Sequence, residues 1–386
     1  MAINETQYSI DKLDPSVLPQ RGNESWKYTR LDHLLENQYH SVQLATNINT
    51  LSLSDENYYL VNINEEGLEH NLPSSVEIDS LQNNKFENTP FNNDIATHLT
   101  QANNKMGYQF SVVKNSSLDK PIMIKYDFKN KLAYINLHNE FIVNSGSKLE
   151  VFEDFSSSVN VFVNYMAKPT VESNANFNHV IIQDTKYGSL FLHSYDGKVL
   201  SNGTLDSMVI NLGAKLSRSN VYINLADENA SCSAHGLYAL HRDQHHDTSS
   251  YIHHSMPHTY SFQLYKGIMD DESHGVFTGK VRVEKDAQLI TAEQLNKNLL
   301  LSNKAKVNSR PQLEIYADDV KCAHGSTTGQ MSEDELFYFE SRGIKKEKAR
   351  GILARAFAYD VVLKQKNLTM RSEIINHLIQ KNIVRA

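Results

Sequence analysis

A chain of 386 residues is long enough for two or three compact units, and 40% hydrophobic with 22% charged residues is ordinary for a globular protein. The formal charge of −7 denies it the broad basic surface that a general nucleic-acid binder needs. Two cysteines do not make a secreted disulfide scaffold, no apolar run approaches the roughly 20 residues that span a bilayer, and the start Met-Ala-Ile-Asn-Glu-Thr-Gln lacks a basic and apolar leader, so the expected compartment is the cytoplasm.

Residues 1–105 read as a mixed, partly helical region. Trp26-Lys27-Tyr28-Thr29 leads through Leu31 into Leu34 and Leu35 with a short helical pattern. A second helix is expected over Phe91 to Lys105, with Asp94 near its start and Gly107 past its end. From 106 to 328 the period changes to two. In Phe277-Thr-Gly-Lys-Val-Arg-Val283 the apolar or small residues alternate with Thr278, Lys280 and Arg282, which describes a half-buried strand. Val221-Tyr-Ile-Asn-Leu225 alternates in the same way.

One turn-like phrase recurs: a polar or glycine residue, a small residue, any residue, then an apolar one. It appears at Gly146, Asn174, Gly213, Asn229, Asp286 and Lys304. Short strands punctuated by such turns predict a β-solenoid in preference to a β-sandwich, with asparagine side chains expected to hydrogen-bond along the turns. Residues 329–386 return to helical spacing. Ser332-Glu-Asp-Glu335 is a capping box, followed by a helix that stops near Gly343. A second helix is expected over Lys345 to Lys364, and a third carries Ile374, Ile375, Leu378 and Ile379. Three such helices make a poor independent core and are expected to dock on the solenoid end, on a partner, or on both.

The chemistry is sparse. No Walker loop is present, because Gly325-Ser-Thr-Thr-Gly329 lacks the phosphate-binding lysine, and no dinucleotide, zinc-protease or Gly-x-Ser-x-Gly pattern occurs. Gln312 to Gly325 reads as a buried strand running into a turn. In it Val320, Cys322 and His324 share one face, and Gly325 and Gly329 should leave His324 more exposed than Cys322. A thiol and an imidazole so placed can bind iron or zinc, but a metal normally takes about four ligands, so the rest must come from elsewhere. Spacing alone favours a structural role for both residues. Eight of the seventeen histidines lie between His235 and His274; adjacent pairs on strands face opposite ways, which favours a polar sheet face or interface over a metal site. Asp243, Asp247, Asp270 and Asp271 are the carboxylates available to a glycosidase reading. Cys232, at the apolar position of a turn phrase, reads as a buried small hydrophobe.

The runs Gln263 to Asp271, Gly275 to Gly279, Asn298 to Ser302, Pro311 to Gly325 and Phe337 to Ile344 together resemble the SufB/SufD family of the SUF iron–sulfur cluster assembly system. The resemblance is strongest over residues 240–365, and Trp26-Lys27-Tyr28-Thr29 with the modest length points to its shorter, SufD-like branch. It implies a mainly β fold: a right-handed parallel β-helix core flanked by N-terminal and C-terminal helical regions. It also implies a non-catalytic scaffold in a complex with SufB-like and SufC-like subunits. ATPase activity would belong to SufC, docked on the C-terminal helices. His324 matches a family histidine that faces a SufB cysteine and helps hold a nascent cluster; Cys322 matches the motif's cysteine. The implied cargo is a transient cluster or iron at the SufB interface, with none expected in the isolated chain, which would pair with itself. Ala323, His274 and Leu289-Ile-Thr-Ala292 depart from the family's usual Ser, Arg and Thr-Asp-Ala stretch. The rivals are a carbohydrate-active β-helix enzyme and a β-helical adaptor with no metal role.

Overall fold

The computed structural model describes residues 10, 14–20, 22–32, 34, 39–42, 45–81, 89–102 and 107–381. The period-two region folds into a parallel β-solenoid of about eight turns. Two sheets face each other, one of ten strands and one of eleven. The larger sheet runs through Lys148–Ser156, Asn176–Asp184, Thr204–Asn211, Ser231–Leu240, Tyr260–Met269, Ile290–Leu300 and Val320–Gln330. The smaller runs through Ala133–Val143, Phe162–Val171, Leu190–Val199, Leu216–Leu225, His245–His254, His274–Val283 and Lys306–Ile315. Parallel neighbours need a long crossover, and here each crossover is the strand of the opposite sheet.

The recurring phrase marks the corners. Leu149, Phe177, Leu205 and Cys232 stack in register, all buried in the interior. Ahead of them Gly146, Asn174, Asn202 and Asn229 all have φ between 56° and 71°. This corrects the expected asparagine ladder at these positions, although Asn144 beside Gly146 does donate to Val112 O of the turn before at 2.7 Å. Asparagine is chosen at these corners because it tolerates the left-handed region, and the stacking bonds are made by backbone, as in Asn174 N–H to Ser201 O at 3.0 Å. Phe277, Val281 and Val283 are buried as the alternation predicted, as are Val221, Ile223 and Leu225.

At the N-terminal end, short strands extend both sheets: Tyr59–Asn64 pairs with Ile122–Tyr126, and Val76–Ser80 with Gly107–Val112. The expected second helix is α1, Ile95–Ala102, with Asp94 accepting from Ala96 N–H. Gly107 begins a strand instead of closing that helix, and Lys105 and Leu35 lie outside the described residues. Trp26, Leu31, Leu34, Ile95 and Leu99 cover the outer face of the smaller sheet at Tyr134, Phe162, Leu192 and Leu216.

The C-terminal helices are α2 (Glu333–Glu340), α3 (Lys346–Val362) and α4 (Leu368–Gln380). Ser332 caps α2 by accepting from Glu335 N–H, and Gly343 takes φ 77°. Ala354, Ala358, Val361, Met370 and Ile374 pack on the outer face of the larger sheet, against Phe152, Ile182, Met208, Leu237 and Leu264. The helices therefore lie along the solenoid's flank. The aliphatic stripe of that sheet's outer face attracts them there. No described helix is long and apolar enough to cross a membrane.

Candidate functional site

The final turn consists of Lys306–Ile315 and Val320–Gln330, and each is the last strand of its sheet. The segment expected to be one buried strand entering a turn is in fact split. Gln312 to Ile315 ends one strand, residues 316–319 form the corner, and Val320–Gln330 continues unbroken through Gly325 and Gly329. Parallel pairing sets which way its side chains point. Cys322 pairs with Ala292, His324 with Gln294 and Ser326 with Asn296, and these three partners are all buried in the interior. Cys322, His324 and Ser326 thus occupy the outermost interior layer, at the mouth of the solenoid.

Within that layer the two candidate ligands differ. Cys322 is half-buried and packs with Val281, Ile290, Ala292 and Ala317. Burial pushes its thiol pKa up, which opposes the thiolate a metal needs. His324 is exposed, and its side chain makes no hydrogen bond to any described residue. The expected order of exposure holds, but its cause is the absence of a further turn above His324, since the glycines make no turn. No group of three or more metal-ligating side chains occurs among the described residues. Cys322 and His324 share one face of the open layer, and the His324 side chain is the exposed one of the two.

Next to this open layer the interior is well bonded. Ser326 Oγ lies 2.8 Å from Ser309 Oγ, and Ser309 donates to Asn296 Oδ1 at 2.8 Å. Asn298 donates to the same oxygen at 2.7 Å and accepts from Tyr238 OH at 2.6 Å. The Gln294 amide, beneath His324, has no such partner among the described residues.

The histidine-rich stretch is structural where the structure accounts for it. His246 reaches Ser217 at 2.7 Å and Thr248 at 2.8 Å; His254 reaches Thr259 at 2.7 Å and Ser261 at 2.8 Å. Burial lowers the pKa of both to about 3, keeping them neutral. Their neighbours His245 and His253 point outward, to Thr29 and Glu284. His274 faces His245 with ring centroids 4.8 Å apart and contacts Asn308 at 2.7 Å. The carboxylates of the glycosidase reading are dispersed. Asp247 is buried against Arg218, Asp243 pairs with Lys215, and Asp271 accepts from Arg242 N–H in a turn.

Sequence reading missed how the N-terminal segment is held. The Trp26 indole donates to Asp94 at 2.9 Å and lies 4.0 Å from the Arg218 guanidinium, and Thr29 donates to Asp247. Glu24 reaches the final turn through Arg310 at 2.7 Å. No sequence signal joins these residues, because more than 180 positions separate Trp26 from Arg218 and only the coiling of the solenoid brings them together.

Residues 128–357 match the family model described as SUF system FeS cluster assembly, SufBD core domain. The chain belongs to the SufBD family. It is similar to the iron–sulfur cluster assembly protein SufD of Escherichia coli, 24% identical over 98% of this chain and 92% of that one. It is also similar to a SufBD family protein of Synechocystis, 29% identical over 93% of this chain and 86% of that protein, and to the chloroplastic protein ABCI7 of Arabidopsis thaliana, 30% identical over 69% and 58%. The SufBD core match spans the solenoid from Ala133–Val143 to the mouth and reaches into α3, so the Cys322–His324 layer lies inside it.

Proposed function

We propose that this SufBD chain is a scaffold subunit that pairs through its final turn with a SufB-like subunit and offers His324 as an imidazole ligand to iron or a nascent cluster. The unpaired final turn, with His324 facing outward from it, carries the reading. Edge strands of ten and eleven residues present rows of unpaired backbone groups, which proteins normally cover. A partner's edge would cover them and would bring the missing ligands, including a cysteine, to the half-site. Clusters usually take four thiolates, so sharing between chains answers the shortage. Cys322, held protonated by burial, ranks below His324 as a ligand.

The same proposal keeps three working regions: 1–105, 106–328 and 329–386. The C-terminal region would receive a SufC-like ATPase subunit. Phe337 is 70% exposed and Leu368 69%, which leaves apolar surface on the side of the helices away from the sheet. This chain would not itself hydrolyse ATP; the SufC-like subunit's dimerisation would move the edge contact through these helices. In isolation the chain would pair with itself through the same edge, and its place is the cytoplasm.

Purification through a tag on this chain, after co-expression with SufB-like and SufC-like subunits, tests the assembly. Recovery of all three with iron and sulfide is expected, and recovery of this chain alone would overturn it. His324→Ala in the full complex separates a ligand donor from a metal-free adaptor: cluster content should fall to background. Normal content would make the chain an adaptor.

A further inference from the structure

We propose that Gln294 is the positioning residue for His324, its amide carbonyl taking the ring N–H that does not face the metal. This rests on the reading of His324 as a ligand. Gln263, Gln294 and His324 occupy one interior column in three successive turns. Gln263 Oε1 accepts from Ser250 Oγ at 2.7 Å. Gln294 is fully buried, yet neither Oε1 nor Nε2 has a partner among the described residues. A buried amide with both ends unpaired is costly, and native interiors rarely keep one without a use for it.

The amide is given its place by the opposite sheet. A Cβ on Gly279 would stand 2.5 Å from Gln294 Nε2, so glycine there leaves the room that the side chain fills. The other polar groups beneath the mouth are committed to the Ser326–Ser309–Asn296–Asn298 chain, and Cys322 is surrounded by apolar side chains. Among the described residues, Gln294 is thus an uncommitted acceptor in the layer below His324. Strands in a sheet stand about 4.8 Å apart, so rotation of the His324 side chain brings ring and amide together. A metal-ligating histidine almost always gives its second N–H to such an acceptor, which fixes the tautomer and turns the other nitrogen to the metal. Here that nitrogen would face the uncovered edge.

Gln294→Met tests this, because methionine keeps the length of the side chain and removes the amide. Two opposite changes are expected. The full chain should melt about 1–3 °C higher, since two unpaired buried atoms are gone. The purified complex should bind cobalt(II), used alone as the probe, roughly 10–100-fold more weakly, with a changed ligand-field spectrum. A residue with only a packing role would not raise stability while weakening the metal. Unchanged cobalt affinity in Gln294→Met, with affinity lost in His324→Ala, would overturn the positioning role and leave the ligand reading standing. Unchanged affinity in both would remove the ligand reading and this inference with it. A lower melting temperature or failure to fold in Gln294→Met would show that the amide has a structural partner, which also overturns the inference. Gln294→Glu, which keeps an acceptor oxygen, should recover cobalt binding where Gln294→Met does not.

Discussion

Two polar layers inside the same solenoid behave in opposite ways. Early in the solenoid, Glu153 is fully buried and accepts hydrogen bonds from Tyr126 and, at 2.7 Å, from Tyr165; His179 lies 2.7 Å away. His179 also reaches Tyr195, and Asn139 donates to Tyr126 at 2.8 Å. At the mouth, the Gln294 amide has no hydrogen-bond partner among the described residues, and the His324 side chain is exposed. The first layer lies between further turns and its partners are built in. The second has a turn on one side only. A buried polar group whose partners are all present stabilises one fold, whereas one whose partners are missing points to something that arrives later.

The comparison can be broken at its strong end first. Glu153→Ala should remove the buried acceptor that two phenols and an imidazole share and cost on the order of 3–5 kcal/mol, read from urea unfolding. A loss below about 1 kcal/mol would mean that this layer is no better satisfied than the mouth. Acidification sharpens the same point. His246 and His254, with pKa values lowered to about 3, are neutral when folded and take up protons on unfolding below the ordinary histidine value of about 6.5. Stability should therefore fall progressively from about pH 6.5 toward 3, and His254→Asn should flatten part of that slope in a pH series of melts.

A corner substitution should have a smaller effect. Asn174→Ala places a Cβ without a polar side chain at φ 58° and should cost about 1 kcal/mol, with Asn174→Gly close to neutral. At the mouth, His324→Ala should change the stability of the isolated chain by less than about 0.5 kcal/mol, because the side chain is exposed and bonded to nothing described. A large loss there would show that the open layer is structural after all. The tail offers a further contrast. Asp184, Asp154 and Glu373 surround His377 and raise its pKa against the opposing effect of burial. Its contribution is complete below the ordinary histidine pKa and is lost as pH rises through the raised value. The protection factors of α4 amides, corrected for the intrinsic rise of exchange with pH, should therefore fall on going to alkaline pH, and His377→Gln should remove that fall.

Much of this was legible in local patterns. Period-two alternation located Phe277–Val283 as a strand, the Ser332 cap located α2, and the thiol–imidazole spacing placed Cys322 and His324 on one face. The turn phrase was read correctly as a corner marker, but the role of its asparagines was not, because left-handed backbone and side-chain ladders draw on the same residue. The break at residues 316–319 was missed since a corner between two sheets carries the same apolar spacing as a strand running on. The docking of α3 and α4 along the flank was missed because helical periodicity shows which face is apolar without saying what covers it.

By itself the sequence determined the alternation, the corners, the helices and a family resemblance, all of which depend on neighbours a few residues apart or on a long motif. Only the tertiary structure decided that His324 ends an interior column, that Gln294 lies unpaired beneath it, and that Trp26 is held by Arg218 and Asp94. Those relations join residues 30 to nearly 200 positions apart. In a solenoid they are set by the register of successive turns, and a shift of one residue turns every interior side chain outward.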